Sequence, residues 1–297
     1  MSNGAAYIAI QQPSTLHESN QQLREVVAEM MFANGDSMDP NNQSIDLMLK
    51  LLHEQLTFLL ENARRWSQSE DKITLSFVLY NFHSHPQIIA RFMKYAADRT
   101  MLANVSSSVS SDDARTFGYN VNQNNRNEIE RFADAFCEFD TSGQLRQMIE
   151  RATLPEFVDS LKQKRLQRLL RLSDGMNSEI YTKYSHARRR CLCYKSDRHV
   201  LPAFKKWIGH LQLDAAIILV INFVASEIVA QMVEHASLAR EDEIKNSIVG
   251  STSTPFYESP LELRHYRAAL RSNLGYQQNR NLLFGYVPNM TIMPNSN

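Results

Sequence analysis

Glycine and proline are scarce, nine of each in 297 residues. Turn-rich β-sandwiches and barrels, and nucleotide folds built on glycine loops, need many positions where only those residues suit the backbone. Their scarcity argues against both classes and points to helices. Cysteine is scarcer still. Cys137, Cys191 and Cys193 are odd in number and the last two stand too close to bridge easily, so no disulfide framework is expected and a reducing compartment is implied. Charge of one sign is also missing, because 32 Lys+Arg balance 32 Asp+Glu. Residues 1–12 carry neither a basic lead nor a continuous apolar run, so they do not read as a secretion signal and the mature chain is expected to start near Met1. One stretch, Ala215 to Ala230, raises the question of a membrane span. Asn222, Ser226 and Glu227 interrupt it, and a span needs about 20 apolar residues, so a buried helix and no membrane partner are expected. With 43% hydrophobic and 22% charged residues, wholesale disorder and a fibrous repeat are both disfavoured.

What is present is helical periodicity. Leu23, Val26, Val27, Met30 and Met31 recur at helical spacing up to Asn34-Gly35, where positive backbone angles come easily. Ser44 is placed to cap a longer helix with Ile45, Met48, Leu52, Leu56, Leu59, Ala63 and Trp66 along one stripe. Leu47, Leu49, Leu51, Phe58 and Leu60 widen that stripe, so the helix must be covered on more than one side. Thr74 can cap a short helix from Phe77 to Phe82, and Pro86 restarts a fourth that reaches Thr100. From Ala103 to Asn127 five Ser and six Asn mark a linker. Helices are predicted from Glu128 to Phe139 and from Leu154 to Leu172.

The second half repeats the order short, long, short: Leu201 to His210, Asp214 to Leu238 and Ser259 to Asn273. The long member carries Ile217, Ile221, Val224, Ile228 and Met232 on one face, with Asp214 as its cap. Ser259 as cap, Pro260 in the first turn and Glu262 for a capping box predict the last start, after a Ser/Thr-rich loop from Arg240 to Glu258. The expected architecture is all-α. Units at 23–100 and 199–273 clasp each other through Leu52, Leu56, Leu59, Ile221, Val224 and Ile228. A flexible segment 1–22, a partly helical linker 101–198 and a tail 274–297 complete the chain.

A short helix, a long one covered on two sides and a short third is the arrangement of the histone fold, so the chain is expected to hold two histone folds paired within one molecule. Met30-Met31-Phe32-Ala33-Asn34-Gly35-Asp36, then Asp39-Pro40 and Ser44, resembles the opening of the histone-fold-pair subunit of the SAGA coactivator, the third family of Suppressor-of-Ty proteins. Its halves are similar to the thirteenth and eleventh TFIID subunits, and Ser259-Pro260-Leu261-Glu262 with Tyr266-Arg267-Ala268-Ala269-Leu270-Arg271 looks like the closing helix of the latter. Tyr184 to Ile208, with Ser185, Arg188, Arg189 and Phe204-Lys205-Lys206-Trp207-Ile208, is similar to that family's entry to its second fold. The sequence departs at Arg190-Cys191-Leu192-Cys193 and between Leu102 and Thr182. The resemblance implies a nuclear, non-catalytic subunit with no cofactor and no small-molecule substrate. It would work beside other SAGA-type subunits and help deliver the TATA-binding protein to RNA polymerase II promoters.

No glycine-rich phosphate loop, nucleophile elbow or HExxH motif occurs. His83 and His85 lack a paired ligand motif, so surface or capping roles are expected rather than zinc. Cys191 and Cys193, with no second pair, and Met30, Met31, Met48 and Met93 read as core residues. From Lys162 to Lys206, 13 basic residues face 3 acidic ones, a balance of +10, whereas residues 1–100 carry 8 and 11, or −3. Such a split suits an acidic partner or DNA phosphates, and Arg188, Arg189 and Arg190 are the candidate contacts. A histone-fold DNA-binding protein is therefore the alternative function. Glu227 sits in the most apolar helix, where a carboxylate is costly unless paired. By resemblance it is a candidate contact for the TATA-binding protein; otherwise its partner is expected within the chain, from His265 or Arg264.

Overall fold

The structure, a computed structural model, describes residues 13–67, 73–109, 121–154, 157–193, 200–209, 212–246, 258–273 and 282–283. Eleven helices and no strand occur among them. They are α1 (Pro13–Ala33), α2 (Asn42–Trp66), α3 (Leu75–Tyr80), α4 (Pro86–Val109), α5 (Val121–Cys137) and α6 (Gln144–Thr153), then α7 (Ser160–Ser173), α8 (Ser178–Ala187), α9 (Val200–Trp207), α10 (Ala215–Asn246) and α11 (Leu263–Ser272).

The two long helices, α2 and α10, pack together, and the short helices of each half reach across to the other. α1 and α3 lie on α10, α11 lies on α2 as well as on α10, and α1 packs along α9. Two short-long-short helical units thus embrace each other within one chain. Leu52, Leu56 and Leu59 of α2 and Ile221, Val224 and Ile228 of α10 are all fully buried in one continuous apolar cluster. Met30, Met31, Met48 and Met93 lie in the same cluster.

Helix ends follow local chemistry in some places and tertiary contacts in others. α1 stops where Gly35 adopts φ 106° and the Asp36 N–H bonds back to the Met31 carbonyl, a left-handed cap that glycine adopts cheaply. Asp214 caps α10 as expected, its carboxylate accepting from the Ile217 N–H at 2.8 Å. Ser44 does not cap α2. Asn41 does, accepting from the Gln43 N–H, while Ser44 lies buried inside the helix and donates to the Leu261 carbonyl at 3.3 Å. α11 begins at Leu263, later than Ser259 and Pro260 suggest, with the Glu262 N–H bonded to the His265 ring at 3.0 Å. α10 runs on to Asn246, into the expected loop, and Arg240 within it donates to the Ser259 carbonyl.

The linker contributes to the core. Phe132 and Phe136 of α5 make edge contacts with Phe92 of α4, and Phe92 in turn meets Phe223 of α10 at 5.3 Å. α6, unforeseen in the sequence, packs on α4 through Ile149 and Ala152. α8, also unforeseen, sets Tyr184 against Phe32 of α1 at 5.5 Å. Leu282 and Leu283 are buried too, the Leu282 N–H donating to Gln55 at 2.7 Å.

The clasp has one polar junction where the turn after α1 meets the entry to α11. Asp36, 1% exposed, accepts from the Leu261 N–H at 2.8 Å, the Tyr266 hydroxyl at 2.6 Å and the Ser37 N–H at 2.7 Å. Burial pushes its carboxyl above the ordinary value, against the pull of those three donors. Burial, and then the charge of Asp36, hold the Tyr266 hydroxyl well above its ordinary value, which keeps it a donor. Asp36→Ala strands two buried donors on the opposite fold and is expected to cost about 3 kcal/mol in urea unfolding, with Tyr266→Phe costing about 1 kcal/mol. A loss for Asp36→Ala no larger than that of a surface substitution, about 0.5 kcal/mol, would show that this junction does not hold the folds together.

Candidate functional site

The site is built on the fourth turn of α10, where Glu227 breaks an otherwise apolar face. Arg91 of α4 donates to Glu227 at 2.9 Å and also to Asp159 at the start of α7, with its second bond to that carboxylate at 3.3 Å. Arg165 of α7 lies 3.4 Å from Glu227 and 3.2 Å from Glu234, about two turns further along the same face of α10. Two arginines and three carboxylates thus tie α4, α7 and α10 at one point. The side chains of Arg91, Asp159 and Glu227 are only 7%, 12% and 13% exposed, so each charge depends on the others for what water would otherwise supply.

α7 reaches this position through Asp159, which caps it by accepting from the Leu161 and Lys162 N–H groups at 3.1 Å each. One carboxylate therefore starts the helix and anchors it to α4. The predicted start at Leu154 is too early, because Leu154 lies outside any helix and Pro155 follows it, a residue that disfavours helix before it. Further along, Arg168 donates to the Asn34 carbonyl at 3.1 Å, and Leu172 approaches the glycine turn at Gly35.

The intramolecular partners first considered for Glu227 lie elsewhere. His265 and Arg264 both meet Glu243, at 2.9 Å and 3.2 Å, because the capping bond to Glu262 orients His265 toward the end of α10. Arg91 and Arg165, which do hold Glu227, stand 136 and 62 residues away in sequence. No local spacing could have identified them.

Arg188, Arg189 and Arg190 follow the last turn of α8 and are exposed. Arg188 lies over the Tyr184 ring at 5.8 Å, and Arg190 pairs with Glu29 of α1. Arg188, Arg190, Arg165 and Glu227 all line one cleft of about 230 Å³, together with Tyr95 and Arg99. The structure therefore brings Glu227 beside two of the three candidate arginines. Arg189 does not line it.

Nothing in this arrangement sets a nucleophile beside a base. His83 stacks on Tyr80 at 4.5 Å, away from the cleft, and its ring nitrogen meets the Tyr80 carbonyl at 2.8 Å. Cys191 and Cys193 are buried. Cys193 is pinned by Asn222, whose amide accepts from the Cys193 N–H at 2.8 Å and donates to its carbonyl. Among the described residues no group of three or more His, Cys, Asp and Glu is placed to hold a metal ion.

Arg91→Met leaves Asp159 and Glu227 without their shared cation and is expected to cost about 3 kcal/mol in chemical unfolding. The site also has a pH signature. Burial raises the Asp159 carboxyl, but its bonds to Arg91 and to the α7 backbone outweigh that and hold it below its ordinary 3.8. A lowered carboxylate stabilises the fold above its unfolded value and loses that contribution as pH falls through the folded value. The gap in thermal midpoint between wild type and Asp159→Asn should therefore be full at pH 6 and shrink below about pH 3.8. A gap that stays constant down to acid unfolding would mean Asp159 is not held ionised by Arg91.

No curated protein matches the chain. Residues 21–108 match the family model of the 18 kDa subunit of transcription initiation factor IID. That segment runs from α1 into α4, so the half of the clasp that carries Arg91 is the part of the chain similar to that subunit.

Proposed function

We propose that the chain is a non-catalytic, nuclear coactivator subunit of a SAGA-like complex that engages the TATA-binding protein and assists its delivery to RNA polymerase II promoters. The observation that carries this reading is the family match over α1 to α4, in a chain that goes on to supply its own second three-helix unit. A lone histone fold leaves apolar faces that need a partner. Here the clasp is closed within the chain, and its outer surfaces are left for other subunits. The contact surface is the cleft where Glu227, Arg165, Arg188 and Arg190 meet, extended by Arg189. Mixed charge at a rim gives orientation and association rate more than raw affinity, which suits a subunit that hands a partner on.

The test is direct association of the purified full chain with recombinant TATA-binding protein. Co-elution in size exclusion is expected. Arg188→Glu combined with Arg189→Glu should weaken binding about tenfold, roughly 1.4 kcal/mol, with an unchanged thermal midpoint. Absence of any complex at micromolar concentrations would end this reading. The basic excess between Lys162 and Lys206 favours a second one, a histone-fold DNA-binding protein. In that case affinity for a random duplex should fall steeply and linearly on a log–log salt plot, and the same double variant should reduce the slope by about 2.

A further inference from the structure

α7 is unlike the helices of the two folds: it has no buried residue, and it carries Lys162, Lys164, Arg165, Arg168 and Arg171 with no acid. Its inner side is occupied by the bonds of Arg165 and Arg168 already described, with Leu169 and Leu172 half-buried toward the Gly35 turn. Its outer side is open and carries large apolar residues among the cations. Leu161, Leu166 and Leu170 are 54%, 45% and 56% exposed, and Val158 just before the helix is 59% exposed. Leu166 and Leu170, four apart, are neighbours on the helix surface. Beside them a recess of about 290 Å³ opens between α7 and α4. Phe157, Val158 and Leu166 form its apolar wall, and Lys94 and Lys162 stand at its rim.

Large apolar side chains grouped on a surface mark a docking site more often than chance exposure. The charges around this one select its occupant. Lys94 and Lys162 line the recess and Lys164 follows on α7; of the acids, Asp159 lines the recess but is taken by Arg91, and Asp98 approaches Lys162 at 3.9 Å. We propose that the outer face of α7 and the adjoining recess dock an acidic segment of another protein. Its apolar side chains would fall at helical spacing and enter the recess, and its carboxylates would meet the three lysines. A nucleic-acid backbone satisfies the lysines but has nothing to cover Leu166 and Leu170. The site lies outside the Glu227 cleft and does not depend on binding of the TATA-binding protein.

The experiment uses the full chain and a labelled synthetic peptide that places leucines at helical spacing among Asp and Glu, read by fluorescence anisotropy. A scrambled peptide of the same composition serves as control. Binding of the ordered peptide that weakens with salt is expected. Leu166→Asp with Leu170→Asp, and separately Lys94→Glu with Lys162→Glu, should each weaken it at least about tenfold. Both double variants change exposed or rim positions, so unchanged thermal midpoints confirm that folding is intact. Equal binding of the scrambled peptide, wild-type affinity in the leucine variant, or no binding of the ordered peptide would each overturn the proposal. So would a wild-type dimer in sedimentation that the leucine variant dissolves, because the occupant would then be a second copy. Displacement of the peptide by anionic phospholipid vesicles but not by unlabelled peptide would overturn it as well, in favour of a membrane surface.

Discussion

The constraint on which the rest depends is that α10 is apolar nearly all the way round. Sixteen of its 32 residues are buried, on every side of the helix, and by length and composition alone it could cross a bilayer. Instead its most apolar window is 78% buried inside the protein. A helix with one apolar stripe needs one neighbour, whereas a helix greasy on all sides must be enclosed. α2 and α1 cover it from the first fold, α3 and α4 from another side, and α11 from its own fold. Pairing of the two folds is therefore a consequence of α10 rather than an addition to it. At roughly 25 cal/mol per Å² of apolar surface, no arrangement that exposes this helix competes with one that encloses it.

The polar residues that interrupt α10 sit where the linker crosses it. Asn222 clamps the backbone of Cys193 from both sides, and Glu227 and Glu234 both take Arg165 of α7. Buried pairs of this kind contribute little net stability against an apolar replacement, but an arrangement that leaves any member unpaired is heavily penalised. That asymmetry makes them register marks. Slide α7 by a turn and Arg165 loses both carboxylates; shift the 191–193 segment and two backbone groups are stranded in the core. The linker is thus a third layer, fastened at defined points, rather than a tether between two domains.

The sequence made the periodic elements legible, and for a physical reason. Leu52, Leu56 and Leu59, or Ile221, Val224 and Ile228, recur because a buried helical face demands it, and the pattern survives without knowledge of the partner. Caps were legible only where the capping bond is local. Asp214 met that condition. Ser44 did not, since its hydroxyl is drawn to Leu261, 217 residues away, and Asn41 takes the capping role. α6 and α8 escaped notice because each buries few side chains, so the apolar signal within a polar segment is faint. Asp140, which accepts from the Leu145 N–H at 2.8 Å just ahead of α6, was the available sign. The cleft was half legible. Glu227 stood out as a charge in an apolar helix, and Arg188 to Arg190 as a basic cluster, but their convergence with Arg91 and Arg165 exists only in the folded chain.

Part of the charge split between the centre of the chain and its start is settled inside the molecule. Arg165 meets Glu227 and Glu234, Arg168 meets the end of α1, Arg190 meets Glu29, and Lys183 meets Glu179 within α8. Some of the basic excess between Lys162 and Lys206 thus serves the fold, and the remainder of the chain, with 19 basic and 29 acidic residues, balances its +10. Only cations left facing solvent release counterions on meeting phosphates, so a raw count of Lys and Arg overstates what this segment offers to DNA. The same bonds link Glu227 to α7. Any partner that takes Glu227 for its own cation competes with Arg165, and binding at the cleft and seating of α7 then oppose each other by one coupling free energy, felt equally from either side. Glu234 softens that opposition, because it keeps hold of Arg165 when Glu227 lets go.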